Sequence, residues 1–184
     1  MVEDLRKRIE SAYSKIEEMV KDIPGYKGYK DKEVRREADK LLRLRVARGF
    51  EEQRRRLNSI QLQLTNAGRL GVLVLLDRAL MRLQFLIDRL KTASYGYAGL
   101  FDAVKVREAE LDALYEFDAA LLDSVSKVKA LIDAVAAAEQ DEEVTKAGNA
   151  LLEALEEVNN TFSKRQDVIL GIATSHSASD SESV

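Results

Sequence analysis

The chain contains no cysteine, which removes disulfides, thiolate nucleophiles and thiolate metal sites together. It has one histidine, His176, set in a serine-rich segment near the end, so a histidine general base or a Ser-His-Asp arrangement has nothing to build on. The Glu-x-x-His pairs of ferritin-like di-metal bundles are missing for the same reason. Tryptophan is absent and proline occurs once, at Pro24. Long hydrophobic runs are lacking too. The most apolar stretch, LGVLVLL at Leu70 to Leu76, ends at Asp77-Arg78, far short of the roughly 20 apolar residues that span a bilayer. The first residues, MVEDLRKRIESAY, are charged and amphipathic rather than signal-like. A soluble, cytoplasmic protein is the expectation.

What remains is abundant Ala, Leu, Glu, Lys and Arg, with 46% hydrophobic and 33% charged residues in 184. That is the composition of a helical bundle. The formal net charge is only -3, but it is unevenly placed. Residues 1–92 carry 22 Lys/Arg against 14 Asp/Glu, and residues 93–184 carry 7 against 18. Such asymmetry points to two interacting faces or to a region that meets a polyanion.

Apolar residues recur at helical spacing through most of the chain. Val2, Leu5, Ile9, Ala12, Ile16, Met19 and Ile23 step by three and four until Pro24-Gly25 stops them. A second helix is expected from Asp31 to Thr92. Its seam runs through Leu41 or Leu42, Val46, Phe50, Leu57, Ile60, Leu64, Ala67, Gly71 and Val74. A second row takes Leu73, Leu76, Leu80, Leu83, Ile87 and Leu90. Asn66-Ala67-Gly68 resembles a C-terminal cap, yet the heptad phase continues through it, so one long helix of about 90 Å is expected. A third helix over 103–138 uses Leu111, Leu114, Leu121, Val125, Val128, Ile132 and Val135. A fourth, over 141–172, starts with Asp141 as its expected N-cap and follows Val144, Ala147, Leu151, Ala154 and Val158. Residues 173–184, rich in serine and acid, are expected to be disordered.

The predicted fold class is therefore all-α: one domain over 1–172, an elongated antiparallel, coiled-coil-like bundle of four helices with a long second helix.

Three features are candidates for function. Glu108, Asp112 and Glu116 share a helix face, but an acidic stripe facing solvent explains them better than a metal site. From Lys27 to Arg56 there are twelve Lys/Arg and six acids. Arg36, Lys40 and Arg43 fall on one face of a helix; Arg48 and Arg55, with Arg45 beside them, form a neighbouring stripe, and Arg54 and Arg56 complete the cluster. Such a run contacts the phosphates of an anionic membrane or pairs with acids elsewhere in the protein. Nucleic acid is the weaker choice, because the protein is acidic overall and no base-reading module is present. Two glycine-flanked loops hold Tyr26 and Tyr29, then Tyr95 and Tyr97. Glycine suits a tight turn and tyrosine caps a bundle end or grips a partner. A continuous second helix separates these loops; a turn at Asn66 to Gly68 brings both towards one end.

No catalytic, cofactor or metal constellation emerges. The leading expectation is a non-enzymatic scaffold or protein-interaction module that self-associates or binds another protein. The alternatives are docking on anionic membrane surfaces through 27–56, and a small-ligand or metal-binding bundle in which Asp77, Arg78, Arg82, Asp88 and Arg89 are the polar groups to watch.

Overall fold

The computed structural model describes the backbone of residues 32–93 and 108–180. The expected helix over 2–23 and both Gly-Tyr loops lie outside the described residues. Among the described residues four α-helices follow in order: α1 (Lys32–Asn66), α2 (Leu73–Thr92), α3 (Glu108–Ala137) and α4 (Asp141–Asp180). A single 3-10 turn, Leu70–Val72, precedes α2. No strand occurs among the described residues, and the protein is an all-α helical bundle. No helix among them is long and apolar enough to cross a membrane.

The expected long helix over 31–92 is in fact two helices. Gly68 has a φ of 75°, a backbone conformation that glycine adopts without the steric cost of a Cβ. The Gly68 N–H donates to the Thr65 carbonyl at 3.0 Å and the Arg69 N–H to the Leu64 carbonyl at 2.9 Å. These are the two hydrogen bonds of a Schellman cap. The heptad phase that runs through this point in the sequence rests on Ala67, Gly71 and Val74, all exposed here. Three small residues add little burial, and the cap decides the backbone.

After the turn, α2 runs back along α1. Gln61 Nε2 donates to Asp77 Oδ1 at 2.6 Å, and Lys91 pairs with Glu51. The α3–α4 hairpin is closed by three residues, Ala138 to Gln140. The Val144 N–H donates to the Gln140 carbonyl, which makes Gln140 the N-cap and Asp141 the first helical residue. Glu143 Oε2 accepts from the Glu139 and Gln140 amides at 2.9 and 3.2 Å, the return arm of a capping box. At its other end α4 continues past the expected boundary at Ile172 to Asp180.

Two compact units divide these helices. The first takes Met1–Arg43, Ala93–Ala120 and Thr161–Val184; the second takes Leu44–Thr92 and Leu121–Asn160.

In the second unit two helical hairpins pack side by side. Gly49 lies against Val125 and Arg56 pairs with Asp133, so α1 and α3 run parallel. Gly148 lies against Leu75, and Arg82 Nη1 reaches Glu156 Oε2 at 2.8 Å, so α2 and α4 also run parallel. Within each hairpin the helices are antiparallel, and both turns fall at one end. The core is apolar: Val46, Phe50, Leu57, Leu76, Leu83, Leu86, Ile87, Leu90, Leu121, Ile132, Leu151 and Leu155 are all but inaccessible. Leu and Ile side chains buried to this degree contribute roughly 1.5–3 kcal/mol each. Gln53 occupies the seam position between Phe50 and Leu57 and is buried, its Oε1 accepting from Arg56 Nη1 at 2.9 Å.

In the first unit an ion pair is buried. Arg165, 3% exposed, donates from Nε to Asp118 Oδ1 at 2.6 Å. Phe162 and Leu42 are buried in the same unit, as is Arg43 at 6% exposure.

Candidate interaction surface

A polar helix needs only one apolar stripe to join a bundle. The sequence of α2, LVLLDRALMRLQFLIDRLKT, has more. Leu76, Leu80, Leu83, Ile87 and Leu90 are buried, as the second apolar row predicts, together with Ala79 and Leu86. A further set points away from the core. Val74 is 70% exposed, Met81 64% and Phe85 58%. At 100° per residue these three fall within a narrow sector of the helix, along with Arg78, Asp88 and Thr92. All three polar residues are exposed. The outward row thus reads Val74, Arg78, Met81, Phe85, Asp88, Thr92: apolar in the middle, one cation and one anion beyond it. Leu70, 61% exposed, stands on the 3-10 turn.

The flanks of this row are committed to the bundle. Arg82 reaches α4 through Glu156 and, at 3.5 Å, the Leu152 carbonyl. Arg89 donates to Asn159, and its guanidinium lies 5.7 Å from the centroid of the Phe85 ring, within cation–π range. Asp88 accepts from Gln84 Nε2 at 2.8 Å. Of the five polar groups singled out on this helix, none is buried. Each serves a structural pairing or faces water.

At the turn end of the second unit, Arg69 spans the two hairpins. Its Nε donates to Asp141 Oδ1 at 2.6 Å and its Nη1 to the Ala138 carbonyl at 3.2 Å. Asp141, expected as an N-cap, is instead the acceptor for a side chain from the opposite turn.

The basic segment is not presented as one patch. Lys40, Arg45, Arg48 and Arg55 are exposed. Arg43 is buried, Arg54 is half-buried with a sequestered Nε, and Arg56 is tied to Asp133. Arg36 lies on α1, but its side chain is outside the described residues, as are Tyr26, Tyr29, Tyr95 and Tyr97. Arg56–Asp133 realises, at one residue of the segment, the pairing of cations with the acids of α3 and α4 that the uneven charge suggests; Lys127–Glu157 joins α3 to α4 themselves. Glu116 is exposed; Glu108 and Asp112 are described only as α3 backbone. Among the described residues no group of acids or histidine is placed to hold a metal ion.

The residues that sequence reasoning passed over are Met81 and Phe85. Their signal is the third apolar row of α2, hidden because Val74 also fits the seam of a helix running through Gly68. No family model matches the chain, and no curated protein or solved structure matches it either.

Proposed function

We propose that this protein is a non-enzymatic helical scaffold or protein-interaction module that self-associates. The observation that carries the reading is the outward apolar row of α2, in which Val74, Met81 and Phe85 lie open on a helix whose inner face is fully buried. Single exposed hydrophobes are ordinary, whereas an aligned row is the usual mark of a binding surface. Aromatic and methionine side chains are the types enriched at such contacts. The polar groups beside the row support the same reading, being spent on holding α2 to α1 and α4. Sedimentation at micromolar concentrations and above tests self-association; the expected result is a monomer–dimer equilibrium, and a strictly monomeric protein refutes it.

One observation favours a second reading, docking on an anionic membrane surface. Arg45, Arg48 and Arg55 project from α1 and are exposed, and each cation close to an acidic leaflet contributes about 1 kcal/mol. Flotation with phosphatidylserine vesicles is expected to recover the protein at low salt, and R45E/R48E/R55E to remove it. Equal recovery on neutral vesicles counts against this reading.

A further inference from the structure

The order of residues along the outward row of α2 restricts what can cover it. The geometry points to a second copy of this chain, laid antiparallel so that the two α2 helices face each other across a twofold axis level with Leu83. The proposal rests on the self-association reading and names its surface and direction.

Reversing one row against itself about that level sets Arg78 opposite Asp88 of the second copy, and Asp88 opposite its Arg78. Met81 meets Phe85 and Phe85 meets Met81. Val74 and Thr92 close the two ends. Every layer is matched in an isologous contact, where the same patch serves both copies. Methionine sulfur against an aromatic ring is a favourable contact at the centre. The two charge pairs at its borders fix direction more than they add affinity. A parallel arrangement places Arg78 on Arg78 and Asp88 on Asp88, and like charges at that separation are repulsive. A membrane is a poor occupant of the same row, since an exposed carboxylate, Asp88, borders its apolar centre beside Phe85. Both charged residues are exposed, so the pairing needs no rearrangement of the bundle. A contact made by one helix row from each copy falls below the roughly 1,600 Å² of a standard interface, and the dimer belongs to the weak class.

The test is sedimentation equilibrium of the full chain, followed to roughly 1 mM because small interfaces are weak. Five variants accompany the wild type: M81E, F85E, the single swaps R78E and D88K, and the double swap R78E/D88K. Helical content and melting temperature, read at a dilution where all are monomers, confirm that each remains folded. The wild type is expected to dimerise, and M81E and F85E to abolish the dimer. Each single swap is expected to weaken it about tenfold, the equivalent of 1.4 kcal/mol, and the double swap to restore it. A wild type that stays monomeric overturns the self-association reading and this surface together. A dimer that survives M81E and F85E leaves self-association standing and overturns the surface. A dimer that needs Met81 and Phe85 but is indifferent to the single swaps, or is not restored by the double one, overturns the antiparallel pairing.

Discussion

Two glycines show how far a single methyl group matters to this packing. A Cβ at Gly49 would lie 2.7 Å from Cγ1 of Val125, and one at Gly148 would lie 2.6 Å from Cδ2 of Leu75. The distances are alike, but the neighbours differ. Val125 is β-branched and held to one rotamer in a helix, with its second methyl 3.3 Å from the same point, so a χ1 rotation is a costly way out. Leu75, half-buried as Val125 is, offers the movable end of a flexible side chain, its Cγ standing farther off at 3.1 Å. Alanine gains about 1 kcal/mol of helix propensity over glycine at either site, set against an overpacking cost of about 1–3 kcal/mol where the neighbour is stiff. Urea unfolding is therefore expected to show G49A destabilised and G148A unchanged or stabilised; the reverse order contradicts the packing described for the two parallel helix pairs. The Arg165–Asp118 pair is the other residue-scale contrast. Removing Asp118 alone leaves a guanidinium in the interior, and D118A is expected to lose about 3–5 kcal/mol. Replacing both partners, as D118L/R165M, is expected to recover most of that loss, because a buried ion pair is worth little more than an apolar pair of its shape.

At the scale of elements the turn at Gly68 decides most. A Cβ there meets no atom, so the cost of G68A is conformational alone: roughly 1–2 kcal/mol for left-handed backbone. The expected outcome is a lower unfolding midpoint with no change in helical content, and a G68A that unfolds like wild type contradicts the Schellman geometry. The same element shows what was legible beforehand. Most large apolar residues buried in α2 and in α1 past Leu42 lie on the rows that apolar spacing exposes, Leu86 being the exception, because period 3.6 is set by the backbone and survives any tertiary arrangement. Asn66-Ala67-Gly68 is an equally plain stop signal. It is overruled in the sequence reading by a phase coincidence among Ala67, Gly71 and Val74, residues too small to hold a helix together through a left-handed position. The buried Gln53, Arg43 and Arg165 are illegible for a different reason: a polar side chain enters a core only where a specific partner awaits it, and Arg165 and Asp118 stand far apart in the chain. Met81 and Phe85 are legible only once the turn is known, since the turn fixes which side of α2 faces inward.

For the molecule as a whole, the uneven charge resolves into local pairs within the second unit. Cations of α1, α2 and the intervening turn meet acids of α3 and α4 at Arg56–Asp133, Arg82–Glu156 and Arg69–Asp141. All three are partly exposed, and pairs of that kind are individually worth about 0–1 kcal/mol. They choose which helices are neighbours, while the aliphatic core supplies the stability. Association through α2 adds a term of another kind. Whatever binds only the folded state raises its apparent stability with concentration, so the melting temperature is expected to climb as the protein is concentrated, and to stop climbing in F85E. A melting temperature independent of concentration in the wild type contradicts dimerisation.

Arg69, reaching from one turn to the other, has a consequence for sliding. If one hairpin crept along its neighbour by a single helical turn, the displacement would be about 5.4 Å. Leucine rows tolerate such a step, since each side chain finds another much like the one it left. Arg69 does not: its carboxylate and its carbonyl acceptor would be lost in one movement. A guanidinium at the tip thus adds a ratchet stop to the close glycine contacts that already hold the two pairs of helices in step.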